Sequence, residues 1–186
     1  RLASVLFMGS AIAATGSIAL TTEMDGAPWA PFSIGAAIAL TAFIKYKHEI
    51  LHIGAYGYLF IAGLMILGEI TRNEPEVDSV YAIYWTILAT IWLYLSWSKM
   101  VDQTLGYLIS AATLFLSTQF LFLSDHRPIS YFVAVIAVPS LAWIYLQDRR
   151  WPLLLGAVAI TTFTMGEFVG ATLGGSLGAL LGLMAA

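Results

Sequence analysis

Cysteine is absent from the 186 residues, and only 10% of them are charged. Without a thiol the chain forms no disulfide, iron–sulfur cluster, thiolate zinc site or cysteine nucleophile. Eight Lys+Arg against eleven Asp+Glu give a net charge of −3, and no basic run is longer than Arg149-Arg150. Nothing there tracks a phosphate backbone, so nucleic acid is excluded as a partner. Histidine occurs three times, and the topology derived below sets His126 at the opposite end from His48 and His52, which excludes a bis-histidine haem. No lysine stands inside a late apolar run to hold retinal, and no Gly-x-Ser-Gly segment is present, which excludes serine proteolysis of the rhomboid kind.

Apolar side chain is what remains: 60% of residues, with a mean hydropathy of +0.85. A water-soluble domain carries about a quarter charged residues and roughly half apolar ones. The excess points to an all-α integral membrane protein, because a lipid-exposed backbone must satisfy its own hydrogen bonds and the short alternating pattern of a membrane barrel is missing. Charge-poor runs predict eight helices, at Leu2–Thr21, Pro31–Ile44, Ile50–Ile70, Val80–Trp97, Thr104–Leu123, Ile129–Leu146, Trp151–Met165 and Phe168–Ala186. The second and seventh are short for a bilayer of about 30 Å, and the last two have almost no loop between them. Seven spans, with Trp151 to Ala186 forming one span and a re-entrant or interfacial piece, is the alternative. The whole of 1–186 reads as a single transmembrane domain. It starts at Arg1 and stops inside an apolar run at Ala186, as a core cut from a longer chain would.

With the N-terminus inside, Arg1, Lys45, Lys47, Lys99, Arg149 and Arg150 fall on one side and only Arg72 and Arg127 on the other. That bias places both termini in the cytoplasm, in a plasma or bacterial inner membrane. Trp29, Tyr46, Trp97 and Trp151 stand where amphipathic rings settle at the headgroup level. The inner turns also repeat. A basic residue is followed seven positions on by glycine at Lys47/Gly54, Lys99/Gly106 and Arg149/Gly156. This spacing predicts one helical hairpin used about three times, near 30–80, 80–128 and 129–186.

The chemistry-bearing candidates are few. His48-Glu49-Ile50-Leu51-His52 fits H-E-x-x-H, a pattern that on a helix aligns two zinc ligands and leaves the glutamate to activate a metal-bound water. Zinc is the cofactor this implies, with Asp102 or Asp148 from the next two inner turns completing the shell. Glu69 is excluded, since it lies about 25 Å further along the same helix. The alternative reading is a solvated inner cap, with Lys45, Lys47, His48, Glu49 and His52 paired at helical spacing. Gly166, Gly170, Gly174, Gly178 and Gly182 recur every fourth residue, forming a groove for close approach of another helix from a second copy or a different membrane subunit. Glu69 and Glu167 near the hydrocarbon boundary, with Gln119 inside the fifth run, are the candidates for a cavity that handles protons or cations. Pro139 is expected to kink the sixth helix.

These features predict a small transporter-like unit or an assembly subunit of a larger membrane complex, held in the lipid bilayer. The competing reading is a zinc-dependent hydrolase at the cytoplasmic face.

Overall fold

The computed structural model describes residues 2–21, 29–71, 77–123 and 126–173. Among them are seven helices and no strand: α1 (Leu2–Thr21), α2 (Ala30–Tyr46), α3 (Glu49–Ile70), α4 (Val77–Trp97), α5 (Gln103–Leu123), α6 (Arg127–Asp148) and α7 (Trp151–Leu173). Five of these, α3 to α7, are long and apolar enough to cross a membrane. The 17 residues of α2 rise about 25 Å, short of a hydrocarbon core of about 30 Å.

The expected count of eight is not borne out. Where the sequence suggested a break between Met165 and Phe168, α7 runs without interruption to Leu173. Neither Gly166 nor Glu167 breaks a helical ladder, and the carboxylate of Glu167 meets the Arg127 guanidinium at 3.5 Å. A charge that finds a partner on the neighbouring helix needs no loop to carry it away. Gly174, Gly178 and Gly182, with the remainder of the expected eighth helix, lie outside the described residues, as do Arg72 and Asp125.

The chain divides into two compact units, Arg1–Val77 and Asp78–Ala186. In the first, α2 packs between α1 and α3 on small residues. Ala36, Ala39 and Ala42 are buried on α2, opposite buried Leu51, Ala55 and Ala62 of α3. Small side chains let helix backbones approach where lipid supplies no hydrophobic drive. The Thr15 hydroxyl hydrogen-bonds with the carbonyls of Ala11, at 2.8 Å, and Pro31, at 3.3 Å, tying α1 to the start of α2.

In the second unit, Ala89, Leu93, Tyr107, Leu114, Ala134, Ala137, Leu141, Leu153, Ala157 and Ile160 form one core shared by α4 to α7. Its hydroxyls turn back onto the backbone. Ser96, Ser110, Thr113 and Thr161 each donate to a carbonyl four residues earlier, which satisfies a polar group without water. Ser117 instead links helices, donating to the Ala82 carbonyl at 2.7 Å and meeting the Thr86 hydroxyl at 2.6 Å. Similarly, Ser130 on α6 donates to the Thr118 carbonyl of α5. Pro139 lies within α6, which continues through it to Asp148.

The three basic turns have a common geometry. Lys47, Lys99 and Arg149, with φ of 47°, 60° and 52°, are the non-glycine residues with left-handed backbone among those described. Lys47 and Arg149 each donate their backbone N–H to the carbonyl four residues back, Phe43 and Tyr145. Lys99 closes α4 with the paired bonds Lys99 to Ser96 and Met100 to Leu95, the Schellman arrangement. Seven residues beyond each turn, the repeated glycine is pressed by a neighbour. A Cβ at Gly54 would collide with Met8 Cε and one at Gly106 with Ser96 Oγ, while one at Gly156 would stand 2.6 Å from Ala111 Cβ. The repeat inferred from spacing is therefore a repeat of cap and close approach.

Candidate functional site

The H-E-x-x-H segment does not lie wholly on a helix. His48 precedes α3 with extended backbone, φ −98° and ψ 139°, and its Nδ1 accepts from the Ile50 N–H at 3.4 Å. That is an N-cap role, satisfying one of the orphan donors of the first turn. Glu49 occupies the first turn of α3 and is exposed, favourably placed against the helix dipole. His52 is fully buried in the first unit, its ring 5.9 Å from that of Phe43. The segment thus combines a cap, an exposed acid and a core residue. Sequence spacing assumed one helical face; the left-handed turn at Lys47 starts the helix one residue too late for that.

Asp102 and Asp148 belong to the second unit. Asp102 caps α5, its Oδ1 accepting from the Leu105 N–H at 2.8 Å. Asp148, at the end of α6, accepts from the Tyr107 hydroxyl and from Gln103 Nε2, the latter at 3.1 Å. Arg150 extends the network, donating to Thr104 Oγ1 at 3.3 Å and Gln103 Oε1 at 3.5 Å. A negative charge at a helix C-terminus opposes the dipole, and the Tyr107 and Gln103 donors offset that cost. This network was not foreseen from sequence. Its signal was an acid at the C-terminal end of a predicted helix, together with a tyrosine one residue after the repeated glycine. Among the described residues, no group of three or more His, Asp or Glu side chains could hold one metal ion. The donors at His48, Asp102 and Asp148 are engaged with backbone or side-chain partners of their own.

The other candidates are also dispersed. Glu69 is exposed near the end of α3 in the first unit. Glu167 pairs with Arg127 across α6 and α7, with side chains 36% and 46% exposed. Gln119 on α5 is half-buried, and its Nε2 finds no hydrogen-bond partner among the described residues. The grooves lined by Ala37 to Tyr46 on α2, by Ala134 to Pro139 with Thr161 to Met165, by Val5 with Lys47 to Ile50, and by Trp97 with Pro139 to Ile144 are mostly apolar and do not have Glu69, Gln119 or Glu167 on their walls. Of the glycine series, Gly166 and Gly170 lie on α7 with nothing within 4 Å of where a Cβ would stand.

The fold and these residues define an all-helical chain with several helices apolar enough to span a membrane. No family model, curated protein or solved structure matches it.

Proposed function

We propose that the chain is a multi-pass membrane protein acting as an assembly subunit, held in a plasma or bacterial inner membrane with its basic turns and both termini in the cytoplasm. One contrast carries this reading. The repeated glycines Gly54, Gly106 and Gly156 are each met by a neighbour at 2.6 Å or less, whereas Gly166 and Gly170, one turn apart on α7, have nothing among the described residues within 4 Å, as is also true of the more scattered Gly9, Gly16 and Gly57. Glycine within a helix costs about 1 kcal/mol against alanine. Two in succession on one face are accounted for if another helix, from a second copy or a different membrane subunit, closes on them. Transport has less support: Glu167 is paired with Arg127, and Glu69 is exposed near the end of α3.

The absence of cysteine makes the test direct. In membranes, Gly170→Cys is expected to give a disulfide-linked dimer or a cross-linked partner band, and Gly166→Leu/Gly170→Leu to lower the native mass of the purified complex. An unchanged mass in the leucine variant and no cross-link in the Gly170→Cys variant would overturn the reading.

A further inference from the structure

A second surface on the second unit fits a partner of different chemistry. Trp97, Pro139, Ser140, Trp143 and Ile144 line a groove of about 460 Å³ between the end of α4 and the C-terminal half of α6. Its walls are exposed indoles, Trp97 at 45% and Trp143 at 66%. The floor offers no free donor. Pro139 has no N–H, and the Ser140 hydroxyl is bound to the Ile136 carbonyl at 2.7 Å. The Trp97 indole N–H donates to Gln147 Oε1 at 3.3 Å, fixing one wall in place. From Pro139 to Asp148, α6 rises about 13 Å, close to half of a hydrocarbon core of about 30 Å. The groove itself is lined on α6 from Pro139 to Ile144, about 7 Å of that rise.

At its interfacial end stand the turns of Lys99 and Arg149. Both side chains are exposed, and neither forms an ion pair or side-chain hydrogen bond among the described residues. Both occupy left-handed backbone, where glycine would be less strained, so the charge itself is the reason to expect a basic residue there.

We propose that this groove seats one acyl chain of an anionic glycerophospholipid from the inner leaflet, with the headgroup phosphate held by Lys99 and Arg149. The capped floor selects hydrocarbon, and the two unpaired cations select negative charge. This inference uses neither the glycine face nor a partner subunit.

Native mass spectrometry of the full chain in detergent tests it, with palmitoyl-oleoyl phosphatidylglycerol and phosphatidylcholine as probes. One phosphatidylglycerol per chain is expected, preferred over phosphatidylcholine by about fivefold for each basic residue. Lys99→Gly/Arg149→Gly, which suits the left-handed backbone and so keeps the turns, is expected to abolish the preference, while Lys99→Arg retains it. Ser140→Phe, filling the groove from an exposed position, is expected to lose both lipids with the helical circular dichroism unchanged. Equal retention of the two lipids by the wild type would overturn the proposal. So would a phosphatidylglycerol preference that survives the double glycine variant, full retention in Ser140→Phe, or a second protein copy seated in place of lipid.

Discussion

Replacing the three repeated glycines by alanine is expected to rank them in a definite order, although all three occupy the same place in the repeat. Each substitution gains about 1 kcal/mol of helix propensity. Against that stands whatever the new methyl displaces. At Gly156 the Cβ would lie 2.6 Å from Ala111 Cβ and 3.4 Å from both Ala111 Cα and Leu141 Cδ1. Carbon atoms pack at about 3.5–4.0 Å, and Ala111 has no torsion with which to retreat. So α5 and α7 must part by about 1 Å. A gap of that size forfeits a quarter to a half of each contact it opens, in a seam that includes Leu114, Leu153 and Ile160. Overpacking of this kind costs about 1–3 kcal/mol, leaving Gly156→Ala up to about 2 kcal/mol less stable. At Gly106 the obstacle is Ser96 Oγ, fully buried and bonded to the Trp92 carbonyl. Rotating it away loses about 1 kcal/mol of hydrogen bonding, which nearly cancels the propensity gain, and still leaves the methyl 3.0 Å from Ser96 Cβ and 3.1 Å from Val101 Cγ2, so Gly106→Ala is slightly destabilising. At Gly54 the obstacle is the end of Met8, a flexible side chain that re-packs readily, so Gly54→Ala is neutral or slightly stabilising.

Unfolding by SDS titration from a mild detergent, followed by far-ultraviolet circular dichroism, measures the order. Gly57→Ala is the internal control, because nothing lies within 4 Å of its Cβ position, and it is expected to stabilise by up to about 1 kcal/mol. The decisive variant is Gly156→Ala/Ala111→Gly, which moves the methyl from one helix to the other. Contacting residues couple, so the double variant is expected to recover most of the lost stability. If Gly156→Ala proves as stable as Gly54→Ala, or if Ala111→Gly gives no relief, the close approach of α5 and α7 is not what places glycine there.

Further outcomes follow from the caps and the buried polar groups. Lys47→Gly, Lys99→Gly and Arg149→Gly are each expected to change stability by less than about 1 kcal/mol in neutral detergent, because relief of the Cβ penalty at positive φ, about 1 kcal/mol, is offset by loss of the cation at the helix C-terminus, about 0.3–1 kcal/mol; a loss above about 1 kcal/mol in the same SDS titration would count against strain at these turns. Gln119→Leu is expected to be neutral or stabilising by about 1 kcal/mol, since it removes an amide donor that has no partner among the described residues; a loss above about 1 kcal/mol would show that the amide is in use. Zinc content measured on protein purified without chelator is expected to be the same, and well below one per chain, in wild type and in His48→Ala/His52→Ala. Stoichiometric zinc lost in that variant would restore the H-E-x-x-H segment as a metal site.

The helices were legible because apolar runs of membrane length leave little choice of structure, and the bounds found for α1 and α3 to α6 lie within three residues of those expected. The error at the end of α7 arose from treating Glu167 as a boundary. A lone acid reads as a break in hydropathy, but pairing with Arg127, forty residues earlier in sequence, is a tertiary event that no local pattern records. The candidate site was less legible for a related reason. H-E-x-x-H is informative only if all five residues are helical, and one left-handed residue at Lys47 turns His48 into a cap. The Tyr107–Asp148 bond joins residues 41 positions apart, and only the packing of α5 against α6 brings them together.

The hairpin repeat shows what such a pattern selects. Three turns place a basic residue where glycine is the less strained choice, at a cost of about 1 kcal/mol each. Each turn also follows a helix whose last carbonyls carry partial negative charge, and a cation there returns about 0.3–1 kcal/mol. In folding energy alone, the exchange therefore roughly breaks even. It becomes favourable at a membrane surface, where anionic headgroups add about 1 kcal/mol per basic residue and where lysine or arginine on one side biases the orientation of the spans. The glycine seven positions later then draws the second helix of each hairpin against its neighbour, below the charged turn. In the orientation proposed above, cap and glycine recur together because one holds the hairpin at the interface and the other closes it within the bilayer.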